Sequence, residues 1–139
     1  MSTVSSQLSK RQKLFFKKYY EEMKERFSND KSASLEDMGN FLQRLRLEAK
    51  ANGLFSYGYK TLRYVYSESQ IKHPTDELLN ELKNKPGHLV ACVTYLIEEA
   101  IIKFDSHGPV CFVQYVKEGI LYKYFTLVIE SNLDYSKDY

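Results

Sequence analysis

Apolar and charged positions repeat with a helical period in the first third of the chain. The stretch 8–27 carries apolar residues at spacings of three and four, with lysines and glutamates between them, and this pattern predicts an amphipathic helix. The stretch 35–51 has the same period, with Ser34 as the N-cap and Asn52-Gly53 as the stop signal. Two helices are therefore expected before residue 53.

The middle of the chain predicts a short strand and two more helices. Residues 59–66 alternate between two sets of side chains that are mostly aromatic or β-branched, which favours a strand, although a helix could also carry them. Pro74 and Thr75 open a helix of about 76–84, which Pro86 helps to close. The stretch 88–104 is apolar on nearly every side, which indicates a helix at the centre of the fold.

The stretch 111–129, CFVQYVKEGILYKYFTLVI, predicts a β-hairpin over 110–129. Its turn contains Gly119, and a two-residue and a three-residue connection both fit. The two registers place the side chains of the first strand on opposite faces. In the second strand, alternation puts Tyr122 and Tyr124 on one face and the core residues on the other.

These elements predict a single α+β domain spanning residues 1–139, in which three to four helices pack on a small antiparallel sheet containing the C-terminal β-hairpin. The ends, 1–7 and 131–139, lack a packable pattern and are expected to be flexible. An isolated hairpin is marginal. We therefore expect a further strand from 59–66 or from a second molecule, which would form a homodimer through a sheet edge.

Composition indicates an ordinary globular protein of the cytoplasm. The 139 residues are 43% hydrophobic and 27% charged, close to the averages for globular domains. No secretory signal or membrane-length apolar run is evident, so no membrane partner is expected. The two cysteines, Cys92 and Cys111, are fewer than a small secreted domain usually carries.

The residues with catalytic or metal-binding chemistry do not form a recognised motif. His88 and Cys92 are four residues apart, as are His107 and Cys111, and zinc accepts these ligand types. The spacing matches no standard Cys-pair signature, however, and a buried thiol is the ordinary interpretation of Cys92 in its apolar run. No nucleophile, base and orienting group can be named together. We therefore expect no metal, no cofactor and no enzymatic activity.

Charge is distributed unevenly along the chain and suggests one alternative function. Residues 1–63 carry a net charge of +6, whereas residues 64–139 carry −4. A basic N-terminal helix interleaved with aromatic residues is compatible with phosphate contacts, so nucleic acid is a possible partner. A solvated helix face with internal ion pairs explains the same residues. The candidate nucleic-acid-binding residues are Lys10, Arg11, Lys13, Lys17, Lys18, Arg44 and Arg46.

Tyrosine is the most unusual feature of the composition, with 12 tyrosines and no tryptophan. Tyrosines can line the edge of a core with their hydroxyls in solvent, or they can form a recognition surface with a large contact area at low entropic cost. On the second interpretation, Tyr122 and Tyr124 bind a partner, and Tyr115 joins them if the hairpin has the two-residue turn. The leading functional expectation is a small cytosolic binding protein that acts by protein-protein interaction, as an inhibitor or an immunity-type protein that neutralises a toxin or an enzyme.

Overall fold

The structure is a computed structural model that describes residues 8–27, 33–56, 62 and 64–130. The predicted flexible ends lie outside these described residues. The described part of the chain folds into helices joined by short connections. The elements are α1 (Lys10–Arg26), α2 (Leu35–Ala51), a 3₁₀ turn (Leu54–Ser56), α3 (Glu68–Lys72), α4 (Asp76–Leu82), α5 (Pro86–His107), α6 (Pro109–Phe112), a π-helical segment (Val113–Lys117) and α7 (Ile120–Glu130).

The predicted α+β fold is wrong, because the described residues contain no strand. The stretch predicted as a hairpin over 110–129 forms α6, the π segment and α7. The buried side chains of α7 follow a helical spacing, at Leu121, Tyr124, Phe125 and Val128, and they pack against α1 and α5. Burial of this stripe outweighs the strand preference of its aromatic and β-branched residues. Because the described residues form no sheet, the expectation of a homodimer through a sheet edge has no structural support.

Most of the predicted strand 59–66 lies outside the described residues, which omit 57–61 and 63. In its described part, the backbone N–H groups of Val65 and Tyr66 both donate to the carbonyl oxygen of Leu62, at 2.9 Å. Two donors on one carbonyl form a tight turn, so this part of the segment is not extended.

The helices predicted over 8–27, 35–51, 76–84 and 88–104 are confirmed, and side-chain N-caps explain where α2 and α4 begin. The hydroxyl of Ser34 accepts a hydrogen bond from the N–H of Asp37 at 3.0 Å and starts α2. The hydroxyl of Thr75 accepts one from Leu78 at 3.1 Å and starts α4. Such caps satisfy amide groups that have no partner within the helix.

Helix α5 lies at the centre of the fold, as its all-round apolar pattern predicts. Residues 89–97 are all buried, and α5 contacts α2, α4, α6 and α7. Two of its acidic residues, Glu98 and Glu99, follow this buried run and form ion pairs with Arg46 of α2 and Lys72 of α3, both at 3.3 Å. The surrounding helices are thus attached to α5 by apolar packing and by these two ion pairs.

Helices α1 and α2 pack antiparallel, and their polar contacts show the direction. Ion pairs join Lys18 to Glu48 at 2.9 Å and Glu22 to Arg44 at 2.5 Å, so a later residue of α1 meets an earlier residue of α2. Beneath these pairs, the ring of Phe41 in α2 lies edge-on to Phe27 at the end of α1, with centroids 5.1 Å apart. Aromatic packing of this kind stabilises a core beyond its area burial.

Candidate functional site: a tyrosine-lined groove

A groove of about 790 Å³ separates the end of α3 from the π segment and the first two turns of α7. We refer to it as the tyrosine groove. One side is formed by α3 and its C-cap residue, and the other by the π segment, the bend that follows it and α7. The groove is lined by Lys72, His73, Gln114, Tyr115, Glu118, Gly119, Ile120, Tyr122, Lys123 and Thr126.

The backbone on the α7 side of the groove is irregular, and the sequence contains the reason. The N–H of Glu118 bonds to the carbonyl oxygen of Val113, five residues earlier, at 3.4 Å, which is the π-helical pattern. At Gly119 the chain then passes so close to Gln114 that a Cβ atom at position 119 would overlap the Gln114 carbonyl oxygen. A glycine is therefore required where the π segment ends and α7 begins.

The two sides of the groove are connected through the core. The buried hydroxyl of Tyr124 in α7 donates a hydrogen bond of 3.0 Å to the carbonyl oxygen of Ile71 in α3, 53 residues away in the chain. Next to Ile71, Lys72 forms its ion pair with Glu99 of α5. Because α3 has only five residues, these two contacts, together with the buried Ile71 side chain, fix its position against α5 and α7.

The three predicted partner-binding tyrosines occupy different environments. Tyr115 and Tyr122 line the groove and are half-buried, whereas Tyr124 is fully buried in the core. The predicted strand would have placed Tyr122 and Tyr124 on one face. In a helix, however, two residues separated by one position point in nearly opposite directions. Tyr124 therefore does not line the groove, but its hydrogen bond to Ile71 connects the two helices that form the sides of the groove.

The tyrosine hydroxyls of this region are neutral at physiological pH. Burial raises the pKa of Tyr124 well above its ordinary value, with the nearby Cys92 adding to the effect. Burial likewise raises the pKa values of Tyr115 and Tyr122. The phenol groups thus keep their protons and can donate hydrogen bonds.

The ring of Tyr122 is ordered by a stacking partner on α1. It lies 5.6 Å from the ring of Tyr20, centroid to centroid, with only 9° between the two planes. This contact holds one face of Tyr122 against the protein. The rotamer entropy that a partner must overcome on binding is therefore partly removed in advance.

The groove carries charges of both signs. Lys72 lies on the α3 side, Lys123 lies on α7, and Glu118 lies in the bend between the π segment and α7. Burial lowers the pKa of Lys72, but its ion pair with Glu99 outweighs this effect, so the net shift is upward and Lys72 remains charged. These groups were not singled out by the sequence, because α3 and α7 are far apart in the chain.

The predicted nucleic-acid-binding residues do not form one free cationic surface. Lys13 is buried. Lys18, Arg44 and Arg46 form ion pairs with glutamates at 2.5 to 3.3 Å. The remaining candidates, Lys10, Arg11 and Lys17, are exposed on α1.

Each histidine candidate bonds to a neighbouring hydroxyl, His88 to Tyr66 at 3.2 Å and His107 to Ser106 at 2.9 Å. Cys92 and Cys111 are both buried free thiols, and burial raises their pKa values to about 12 and about 11. The Cys111 thiol donates to the carbonyl oxygen of Ala100 at 3.3 Å. Within the described ranges, no three histidine, cysteine or acidic side chains are gathered so that they could hold a metal ion.

Comparisons with protein-family models, with curated proteins and with solved structures find no match to this chain. Among the helices that the structure describes, none is both long and apolar enough to cross a membrane. Any functional inference must therefore come from the structure, in which the described residues form helices around a tyrosine-lined groove of mixed charge.

Proposed function

We propose that this protein is a binding protein that acts by protein-protein interaction and that the tyrosine groove is its contact surface. The observation that carries the proposal is that two tyrosines, Tyr115 and Tyr122, line the same groove. Half-buried tyrosines offer a large amphipathic contact area with few rotatable bonds, and they are enriched at interfaces for this reason. An inhibitor or an immunity-type protein would act in this way, because it neutralises a toxin or an enzyme by occupying its surface.

The backbone of the groove supports the proposal independently of the tyrosines. A π segment costs stability relative to a regular helix and occurs frequently at functional sites. Here it lies within the lining, between α6 and α7, and it requires a close backbone approach at Gly119. The nucleic-acid alternative receives less support, because four of its seven basic side chains are buried or paired with glutamates.

A site-specific crosslink tests whether a partner occupies the groove. A photoreactive amino acid is introduced at Gln114, which is exposed in the lining, and at Gln43, which is exposed on α2. In cells that make the protein, we expect one defined partner to be crosslinked from position 114 and not from position 43. Equal crosslinking from both positions, or none from position 114, would contradict the proposal.

The purified partner then provides a quantitative test. We expect Tyr122→Ala to weaken its binding by at least about 2 kcal/mol, as is usual for an aromatic anchor at the centre of an interface. The matched control is Tyr64→Ala, because the ring of Tyr64 is 92% exposed and lies outside the groove. If both variants bind the partner as tightly as the wild type does, the groove is not the contact surface.

A further inference from the structure

We propose that the tyrosine groove selects a peptide segment of its protein partner that carries an acidic side chain, and that Lys123 is the residue that recognises the carboxylate. This inference rests on the proposed function and specifies its partner. It follows from the arrangement of charges around the groove, from the hydrogen-bonding capacity of the lysines and from the position of the aromatic rings.

A lysine lies on each side of the groove, and among the described lining residues the one carboxylate, that of Glu118, lies in the bend on the α7 side. The α3 side presents Lys72, and α7 presents Lys123, whereas Glu118 precedes α7. A carboxylate held between the two sides would therefore meet positive charge from both. A basic side chain in the same place would be repelled by Lys72 and Lys123.

The two lysines differ in how much of their charge is already compensated. Lys72 pairs with Glu99 at 3.3 Å and with Glu68 at 3.8 Å, which offsets its charge and holds its ammonium group in place. An ammonium group has three N–H donors, so Lys72 can still donate to a ligand. Lys123 is exposed and forms no ion pair within the part of the chain that the structure describes. Lys123 therefore supplies the charge selectivity, and Lys72 supplies an additional donor in a fixed position.

Tyr115 and Tyr122 provide the remaining contacts for such a segment. Their rings offer apolar surface beside the lysines, and their protonated hydroxyls can donate to carbonyl groups of a peptide backbone. The expected ligand is thus a segment with an aspartate or glutamate next to an apolar or aromatic residue. Nothing in this arrangement requires the partner to be a nucleic acid, because the described lining residues contain no continuous row of cations.

Selection from a library of random displayed peptides tests the proposal without knowledge of the partner. The full chain is the bait, and bound peptides are eluted, sequenced and resynthesised with each acidic residue replaced by its amide. We expect the selected peptides to be enriched in aspartate or glutamate and to lose about tenfold in affinity on amidation. We also expect their binding to weaken as salt increases, because the contact is electrostatic.

Variants of the protein show whether the groove is responsible. We expect Lys123→Glu to weaken the acidic peptides about tenfold, Lys123→Arg to retain them, and Lys50→Glu, which changes an exposed lysine on α2, to have no effect. Neutral or basic peptides that bind the groove and lose affinity in Tyr122→Ala would overturn the acidic ligand while leaving the proposed function intact. Failure to enrich any peptide would overturn the acidic ligand. Peptides whose affinity changes in neither Lys123→Glu nor Tyr122→Ala would overturn both the acidic ligand and the groove as the binding surface.

Discussion

Truncation of Tyr124 is expected mainly to destabilise the fold, whereas truncation of Tyr122 is expected mainly to weaken binding. Tyr124 is fully buried, and its hydroxyl bonds to the carbonyl oxygen of Ile71. Tyr122 is half-buried in the groove and contacts Tyr20 through one face of its ring. The first side chain belongs to the folded core, whereas the second faces the space that a partner would occupy.

The environment of each ring sets the expected magnitude. Replacing a fully buried aromatic residue by alanine costs about 3–5 kcal/mol, because the apolar contacts are lost and a cavity remains. For a chain of this length, each kcal/mol lowers the melting temperature by about 3–4 °C, so Tyr124→Ala should melt about 10–20 °C below the wild type. For Tyr122→Ala, an aromatic pair worth about 0.5–1.5 kcal/mol and a part of the buried area are lost, which should cost less than about 2 kcal/mol.

Urea unfolding followed by the helical circular dichroism signal measures both costs. The phenylalanine variants are the matched controls. Tyr124→Phe keeps the ring but leaves the Ile71 carbonyl oxygen without its donor, and this should cost about 1–3 kcal/mol. Tyr122→Phe keeps the stacking contact and should be nearly neutral. If Tyr122→Ala destabilises the protein as much as Tyr124→Ala does, Tyr122 is a core residue and the groove loses its main anchor.

Three further changes test other parts of the structure by the same unfolding measurement. Gly119→Ala should destabilise the protein by about 1–3 kcal/mol, because its Cβ would overlap the backbone oxygen of Gln114. An unchanged stability would contradict the close approach of the backbone at the π segment. Gly39→Ala should stabilise it by about 0.5–1 kcal/mol, since a Cβ at this position inside α2 meets only ordinary contacts; a loss of stability would show a tighter interface. Burial raises the pKa of Glu22, but hydrogen bonds from Arg44 and Arg26 outweigh it and lower the pKa below the ordinary 4.5. The stability that ionised Glu22 contributes should therefore be complete above about pH 4.5 and disappear as the pH falls through the lower pKa of the folded state. The difference in free energy of unfolding between the wild type and Glu22→Gln should thus become smaller in acid. A difference that stays constant with pH would refute this ion-pair contribution.

The sequence was sufficient for the helices whose limits are set by local chemistry. Helix α2 begins and ends where Ser34 and Asn52 predict, because an N-cap hydroxyl and a stop signal act on the adjacent backbone. Helix α5 was recognised as central from its apolar surface alone, despite its β-branched residues. In both cases, the determinants lie within the element itself.

The hairpin prediction for 110–129 is wrong because two periodicities overlap in this stretch. The order Ile120, Leu121, Tyr122 and onward alternates well enough for a strand, but the same residues also carry a helical stripe at Leu121, Phe125 and Val128. Strand preference and the glycine before residue 120 favoured the hairpin. Packing against α1 and α5 decides the outcome, and the contact of Phe125 with Phe16 of α1 joins residues about a hundred positions apart.

The groove could not be predicted for a related reason, since its two sides meet only through tertiary contacts. The bond from Tyr124 to Ile71 connects α7 to α3, and no spacing pattern in the sequence marks that pair. The close approach at Gly119 is marked in the sequence by a glycine, but a hairpin turn explains a glycine equally well. The helical spacing within 120–130 is the one signal in the sequence that places Tyr122 and Tyr124 on different faces.

If the groove binds a partner as proposed, the short helix α3 couples stability to recognition. The five residues of α3 are too few to form an independent helix, so the position of Lys72 depends on the Tyr124–Ile71 bond and on the ion pair with Glu99. The distance between Lys72 and Lys123 across the groove is therefore set by the core, not by the surface residues themselves. Weakened binding in a core variant such as Tyr124→Phe would consequently reflect a displaced side of the groove, whereas weakened binding in Tyr122→Ala with little loss of stability would reflect a lost contact. Measuring stability and affinity on the same variants separates these two causes.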